Sequence, residues 1–74
     1  MQLRIEYCVV WNYKQRATGL AAELKNEFGA ETKLVSGGRG DFEVYIDKML
    51  LFSKKDLDRF PEIGEVAGLI RQQA

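Results

Sequence analysis

Residues 2–7 alternate without exception. Leu3, Ile5 and Tyr7 fall on one face and Gln2, Arg4 and Glu6 on the other, which is the two-residue period of a strand buried on one side. Over residues 13–28 the period lengthens: Ala17, Leu20, Ala21, Leu24 and Phe28 form one apolar stripe at helical spacing, with Lys14, Thr18, Glu23, Lys25 and Glu27 largely off it. Asn12 stands where a helix N-cap belongs, and Gly29 where a left-handed glycine would end the helix. Gly19 interrupts the helix at a cost of about 1 kcal/mol relative to alanine, so a close contact is expected there.

Glu31-Thr32-Lys33-Leu34-Val35-Ser36 is a short β-prone run. With the first strand and helix it makes a βαβ unit, whose crossover should be right-handed and whose strands should be parallel. Phe42-Glu43-Val44-Tyr45-Ile46 alternates again, Asp47-Lys48 has turn character, and Met49-Leu50-Leu51-Phe52-Ser53 is another strand. So short a link predicts an antiparallel hairpin. Residues 54–60 form a mixed-charge connector, expected as a solvated loop. The final helix is expected to begin near Pro61, with Ile63, Val66, Ala67 and Ile70 as its buried stripe. Gly64 and Gly68 suggest close packing against the sheet. The resulting order, β-α-β-β-β-α, predicts an α+β sandwich of the thioredoxin-like kind, a four-stranded mixed sheet with two helices.

The chain has 74 residues, which makes it a single domain over 1–74. At this size only about 60% of the unfolded surface is buried, so every element must contribute to one core. Eleven basic and eleven acidic residues cancel, giving no electrostatic case for nucleic acid or an anionic membrane. No apolar run approaches the roughly 18 residues that span a bilayer. The alternating N-terminus is not a secretory signal. One cysteine rules out a disulfide framework and points to a reducing, cytoplasmic setting. The absence of histidine removes the commonest general base and imidazole metal sites, and with one cysteine it leaves no structural zinc site.

The glycine-rich stretch Gly37-Gly38-Arg39-Gly40-Asp41 is not a phosphate cradle. Such loops open a helix and offer its N–H groups to the anion, whereas this one opens a strand. Candidate chemistry falls instead at Cys8, where strand pattern gives way to helix pattern. Unpaired N–H groups at a helix start favour thiolate over thiol, which suits thiol–disulfide exchange. The alternative is that Cys8 is a small buried apolar residue, as most free cysteines are. Both readings stay open on position alone.

Ile5-Glu6-Tyr7-Cys8 followed by Asn12-Tyr13, then Phe42-Glu43-Val44, Phe52-Ser53-Lys54-Lys55 and Arg59-Phe60-Pro61-Glu62 closely resemble the selenoprotein W/T/H-like (Rdx) family, in order along nearly the whole chain. The resemblance implies a thioredoxin-like fold and a Cys-x-x-Cys or Cys-x-x-selenocysteine motif between the first strand and helix. It also implies a thiol or selenol redox role linked to glutathione or protein thiols, without a metal. Cys8 falls on the first motif cysteine and Trp11 on the second redox residue. There the chain departs from the pattern, because an indole forms neither a disulfide nor a selenenylsulfide.

Two explanations compete. Either Trp11 is a genuine substitution, or it stands for selenocysteine, whose codon UGA is one base from the tryptophan codon UGG. The otherwise fitting context, and the cost of exposing an isolated tryptophan, favour the second. If Trp11 is genuine, Cys8 still forms a mixed disulfide with glutathione or a partner cysteine, aided by the helix terminus and by Lys14 or Arg16. No other cofactor is implied. A different class of function is a binding module, in which Val9, Val10, Trp11 and Tyr13 dock a protein partner.

Overall fold

The strict alternation at the N-terminus becomes the second strand in from one edge of a four-stranded sheet. In the computed structural model, which describes residues 1–73, β1 (Leu3–Tyr7) lies between β2 (Thr32–Ser36) and β3 (Phe42–Ile46), and β4 (Met49–Ser53) closes the other edge. β1 and β2 are parallel, pairing Leu3 with Thr32 and Tyr7 with Ser36. β1 and β3 are antiparallel, pairing Leu3 with Ile46, Ile5 with Val44 and Tyr7 with Phe42. The expected β3–β4 hairpin forms on Asp47-Lys48, with Asp47 at φ 53°, the positive φ that tight hairpin turns demand. This is the mixed α+β sheet that the chain's pattern predicts.

Leu3, Ile5, Phe42, Val44, Ile46 and Phe52 point to one face and join a single buried cluster. The cluster is completed by Ala17, Leu20 and Leu24 of α1 (Lys14–Phe28) and Val66, Ala67 and Ile70 of α3 (Glu65–Gln72). Both long helices therefore cover the same face. The opposite face carries the half-buried Arg4, Glu6, Glu43 and Tyr45, with the Arg4 guanidinium 4.2 Å from the Tyr45 ring centre. α1 ends where expected: Gly29 has φ 66° and its N–H donates to the Lys25 carbonyl at 2.8 Å. No described helix is long and apolar enough to cross a membrane.

Several local expectations are corrected. Asn12 does not cap α1. It adopts φ 60°, Tyr13 takes the capping position, and no side chain accepts there. Residues 54–57 are not a loop but a short helix, α2 (Lys54–Leu57), started by Ser53, whose Oγ accepts the Asp56 N–H at 3.3 Å. α3 begins at Glu65 rather than near Pro61. The reason is that the Glu65 carboxylate turns back to accept the Glu62 N–H at 2.9 Å and both Arg59 nitrogens at 2.7 and 2.8 Å, so residues 59–64 form an anchored loop. That leaves Ile63 fully exposed instead of buried. Gly19, Gly64 and Gly68 meet no close neighbour: a Cβ built on any of them would find nothing within 4 Å. Gly64 serves instead as a left-handed N-cap, at φ 81°.

Candidate functional site

The loop joining β1 to α1 is shaped by three hydrogen bonds of its own. The Asn12 N–H donates to the Val9 carbonyl at 3.0 Å, closing a four-residue turn. The Tyr13 N–H reaches back to the Cys8 carbonyl at 3.1 Å, a wider closure that requires the left-handed Asn12. Between them the Trp11 N–H donates to Cys8 Sγ at 3.4 Å, within the range of N–H···S contacts. The sulfur thus occupies the place an aspartate or serine oxygen takes in side-chain-capped turns.

Cys8 itself is 1% exposed, so its side chain takes the buried place of the two left open by position, not one in reach of solvent. Its backbone N–H is spent on the Asp41 carbonyl at 2.8 Å, which draws the residue under the glycine-rich loop. The donor facing the sulfur is also not a helix N–H, because it precedes the first residue of α1 by three positions. Lys14 and Arg16 do not serve the sulfur: Lys14 is exposed, and the Arg16 guanidinium lies 4.1 Å from the centre of the Phe60 ring. Cys8 is the chain's one cysteine and is free, so its chemistry needs an outside partner.

Above the sulfur the loop is apolar and outward-facing. Val9 is 55%, Val10 79% and Trp11 51% exposed. The Trp11 ring rests on Gly40: a Cβ at Gly40 would lie 3.1 Å from Trp11 Cζ3, and Gly40 has φ 77°. From Trp11 a run of edge-to-face rings continues inward, to Tyr13 at 6.1 Å, then Phe60 at 4.8 Å and Phe42 at 5.3 Å between centroids. Lys54 Nζ stands 5.6 Å from the Tyr13 ring centre and 5.3 Å from that of Phe60.

The floor under Trp11 is held by a carboxylate that sequence reasoning missed. Asp41 accepts the Gly38 N–H through Oδ2 at 2.6 Å, and its Oδ1 lies 2.5 Å from Lys55 Nζ. The Lys55 ammonium, more than the Gly38 N–H, holds the Asp41 carboxyl below its ordinary range. Lys55 therefore braces the glycine-rich loop, whose Asp41 carbonyl accepts the Cys8 N–H, rather than merely solvating a connector. The one local signal was an aspartate at the end of a glycine run, a residue type that bonds to nearby backbone N–H groups. Nothing local marked Lys55 as its partner.

Comparison with known proteins follows the same outline. The Rdx family model matches residues 2–72. The chain is 33% identical over 69 residues to mouse (Mus musculus) migration and invasion enhancer 1, covering 92% of this chain and 60% of that protein. It thus spans less than two thirds of that relative's length. Among solved structures, a Bordetella parapertussis protein superposes with a TM-score of 0.93 at 29% identity, over 99% of this chain and 96% of the other. A selenoprotein W-related protein from Vibrio cholerae superposes at 0.90 and 27% identity, over 97% and 94%.

Proposed function

The chain belongs to the Rdx family, and from that premise we propose that Cys8 carries out thiol–disulfide exchange with glutathione or protein thiols. Membership and the likeness to the selenoprotein W-related structure support a thioredoxin-like, redox-related role. The finer assignment rests on one observation: the Trp11 N–H is aimed at Cys8 Sγ. That N–H is a donor placed where the sulfur would accept it during exchange.

The step balances without a metal. Cys8 thiolate attacks one sulfur of an oxidised glutathione, the glutathione S–S bond breaks, and a Cys8–glutathione disulfide forms. The departing glutathione thiolate takes up the proton that Cys8 released. A second, external thiol then attacks the mixed disulfide and returns Cys8 to its reduced state. Because Cys8 is buried, attack requires the turn over residues 9–12 to swing outward. Burial in the closed state shields the sulfur from indiscriminate oxidation. A lone free thiol of this kind persists in a reducing compartment such as the cytoplasm.

Residue 11 is the position of the family's second redox group. Its backbone nitrogen lies 3.4 Å from Cys8 Sγ, which supports an exchange partner at that site if the natural residue is selenocysteine. A source gene with an ordinary UGG codon and no selenocysteine insertion element nearby would remove that version and leave the one-thiol cycle. A Trp11→Cys variant is expected to close an internal 8–11 disulfide.

The test of the main reading is mass measurement after incubation with oxidised glutathione at neutral pH. One glutathione adduct, absent from Cys8→Ser, supports exchange. No adduct, with Cys8 shown to be reduced, overturns it. A second reading is favoured by a separate observation, the contiguous exposure of Val9, Val10 and Trp11: a non-catalytic protein-binding or redox-sensing module that docks through this loop.

A further inference from the structure

Beside the thiol loop runs a groove of about 260 Å³ between α1 and residues 60–63. Its α1 wall is made by residues at helical spacing, Arg16, Gly19 and Glu23, and its other wall by Phe60, Glu62 and Ile63. Two features bear on what it can hold. Gly19 leaves the wall open, since a Cβ there would meet nothing within 4 Å. Charges of both signs also line the groove, and among the described residues none of Arg16, Glu23 and Glu62 has an ion-pair partner.

The Arg16 guanidinium carbon lies 4.1 Å over the centre of the Phe60 ring, and its N–H groups have no carboxylate partner among the described residues. Phe60 in turn packs edge-on against Tyr13 at 4.8 Å, and the Tyr13 N–H bonds the Cys8 carbonyl at 3.1 Å. The groove is therefore one aromatic ring away from the loop that carries the sulfur.

We infer that this groove is a non-covalent docking subsite for the zwitterionic end of a small peptide thiol. Arg16 takes the carboxylate, Glu23 and Glu62 take the ammonium, and the ligand's sulfur is directed toward Cys8. This rests on the thiol-exchange reading and names where the partner binds before exchange. A purely anionic ligand suits the groove less, because two carboxylates would face it. A purely cationic one would meet Arg16.

S-methylglutathione, whose blocked sulfur cannot exchange, is the probe. Titrated into the full chain and followed by backbone amide NMR, it is expected to give saturable shifts concentrated at Gly19, Leu20, Phe60, Glu62 and Ile63. The same shifts should appear in Cys8→Ala, since no covalent step is involved. Arg16→Gln, and separately the double variant Glu23→Gln/Glu62→Gln, should each weaken binding about tenfold, the scale of losing a charge-assisted contact. Acetylating the peptide's amino group should weaken it comparably.

Unsaturable or scattered shifts, or wild-type affinity in both variants with their spectra otherwise native, would overturn the proposal. A second arm separates it from the thiol reading by timing glutathione adduct formation at Cys8. Slower modification of Arg16→Gln than of the unaltered chain supports both. Equal rates overturn the docking subsite and leave exchange standing. Saturable docking with no adduct at Cys8 leaves the subsite standing and removes exchange.

Discussion

Replacing Gly40 by alanine tests whether Trp11 is seated on the glycine-rich loop in solution, and the cost divides into two parts. Gly40 has φ 77°, and an L-residue held in the left-handed region costs roughly 1–2 kcal/mol. The new methyl would also lie 3.1 Å from Trp11 Cζ3 and 3.6 Å from Cη2, so the indole must shift by a few tenths of an ångström. Overpacking in a filled core costs about 1–3 kcal/mol. Because Trp11 is 51% exposed and can yield outward, the lower end of that range, about 1 kcal/mol, applies. Gly40→Ala is thus expected to destabilise the fold by about 2–3 kcal/mol in all.

The two parts separate in a double-mutant cycle. In a Trp11→Ala background the backbone cost remains and the steric cost vanishes, giving a coupling of about 0.5–1 kcal/mol between residues 11 and 40. Urea denaturation followed by far-ultraviolet circular dichroism measures all four proteins without relying on the tryptophan signal. A coupling of zero within error would mean that the indole does not rest on Gly40 in solution, and the described seating of Trp11 on the glycine-rich loop would have to be abandoned.

Three further outcomes follow from other contacts. Phe52 is buried at 1% exposure, and Phe52→Ala should cost about 3–5 kcal/mol, enough to leave so small a domain largely unfolded by circular dichroism at ambient temperature. Ser53→Ala removes the acceptor for the Asp56 N–H and should cost about 1 kcal/mol, read from the shift in urea midpoint at unchanged slope. Arg59, helped by the Glu62 N–H, holds the Glu65 carboxyl at about 2 against an ordinary value of 4.5. With the folded value below the unfolded one, this stabilisation is present in full above pH 4.5 and is lost as pH falls through about 2. Urea midpoints should fall across that window, and Glu65→Gln should flatten the fall; an unchanged pH profile in the variant would refute the assignment.

The parts of the molecule legible in the residues were those that depend on short-range periodicity. Alternation at residues 3–7 and 42–46 yields β1 and β3 because successive side chains of a strand must face opposite sides. The stripe Ala17, Leu20, Leu24 yields α1, and Gly29 ends it, because only a residue without Cβ enters the left-handed region freely. The family motifs, too, lie in short contiguous pieces. Helix starts were less legible. Pro61 suits a first turn by its own φ, but the start of α3 was decided by the Arg59 side chain and the Glu62 N–H holding the Glu65 carboxylate, an arrangement of two side chains and one backbone N–H that no single propensity encodes.

Cys8 shows the division most clearly. Its place between strand and helix is set by the residues around it, and from there it had equal claim to be an exposed nucleophile or a buried apolar atom. Burial came from distant residues: Asp41 draws in the Cys8 N–H, Lys55 pins Asp41, and Gly40 makes room for the ring that closes over the loop. Local pattern records which way a side chain points along its own element. What covers that side chain is supplied by other parts of the chain, brought together only when the sheet forms and the parallel and antiparallel neighbours of β1 meet at its end.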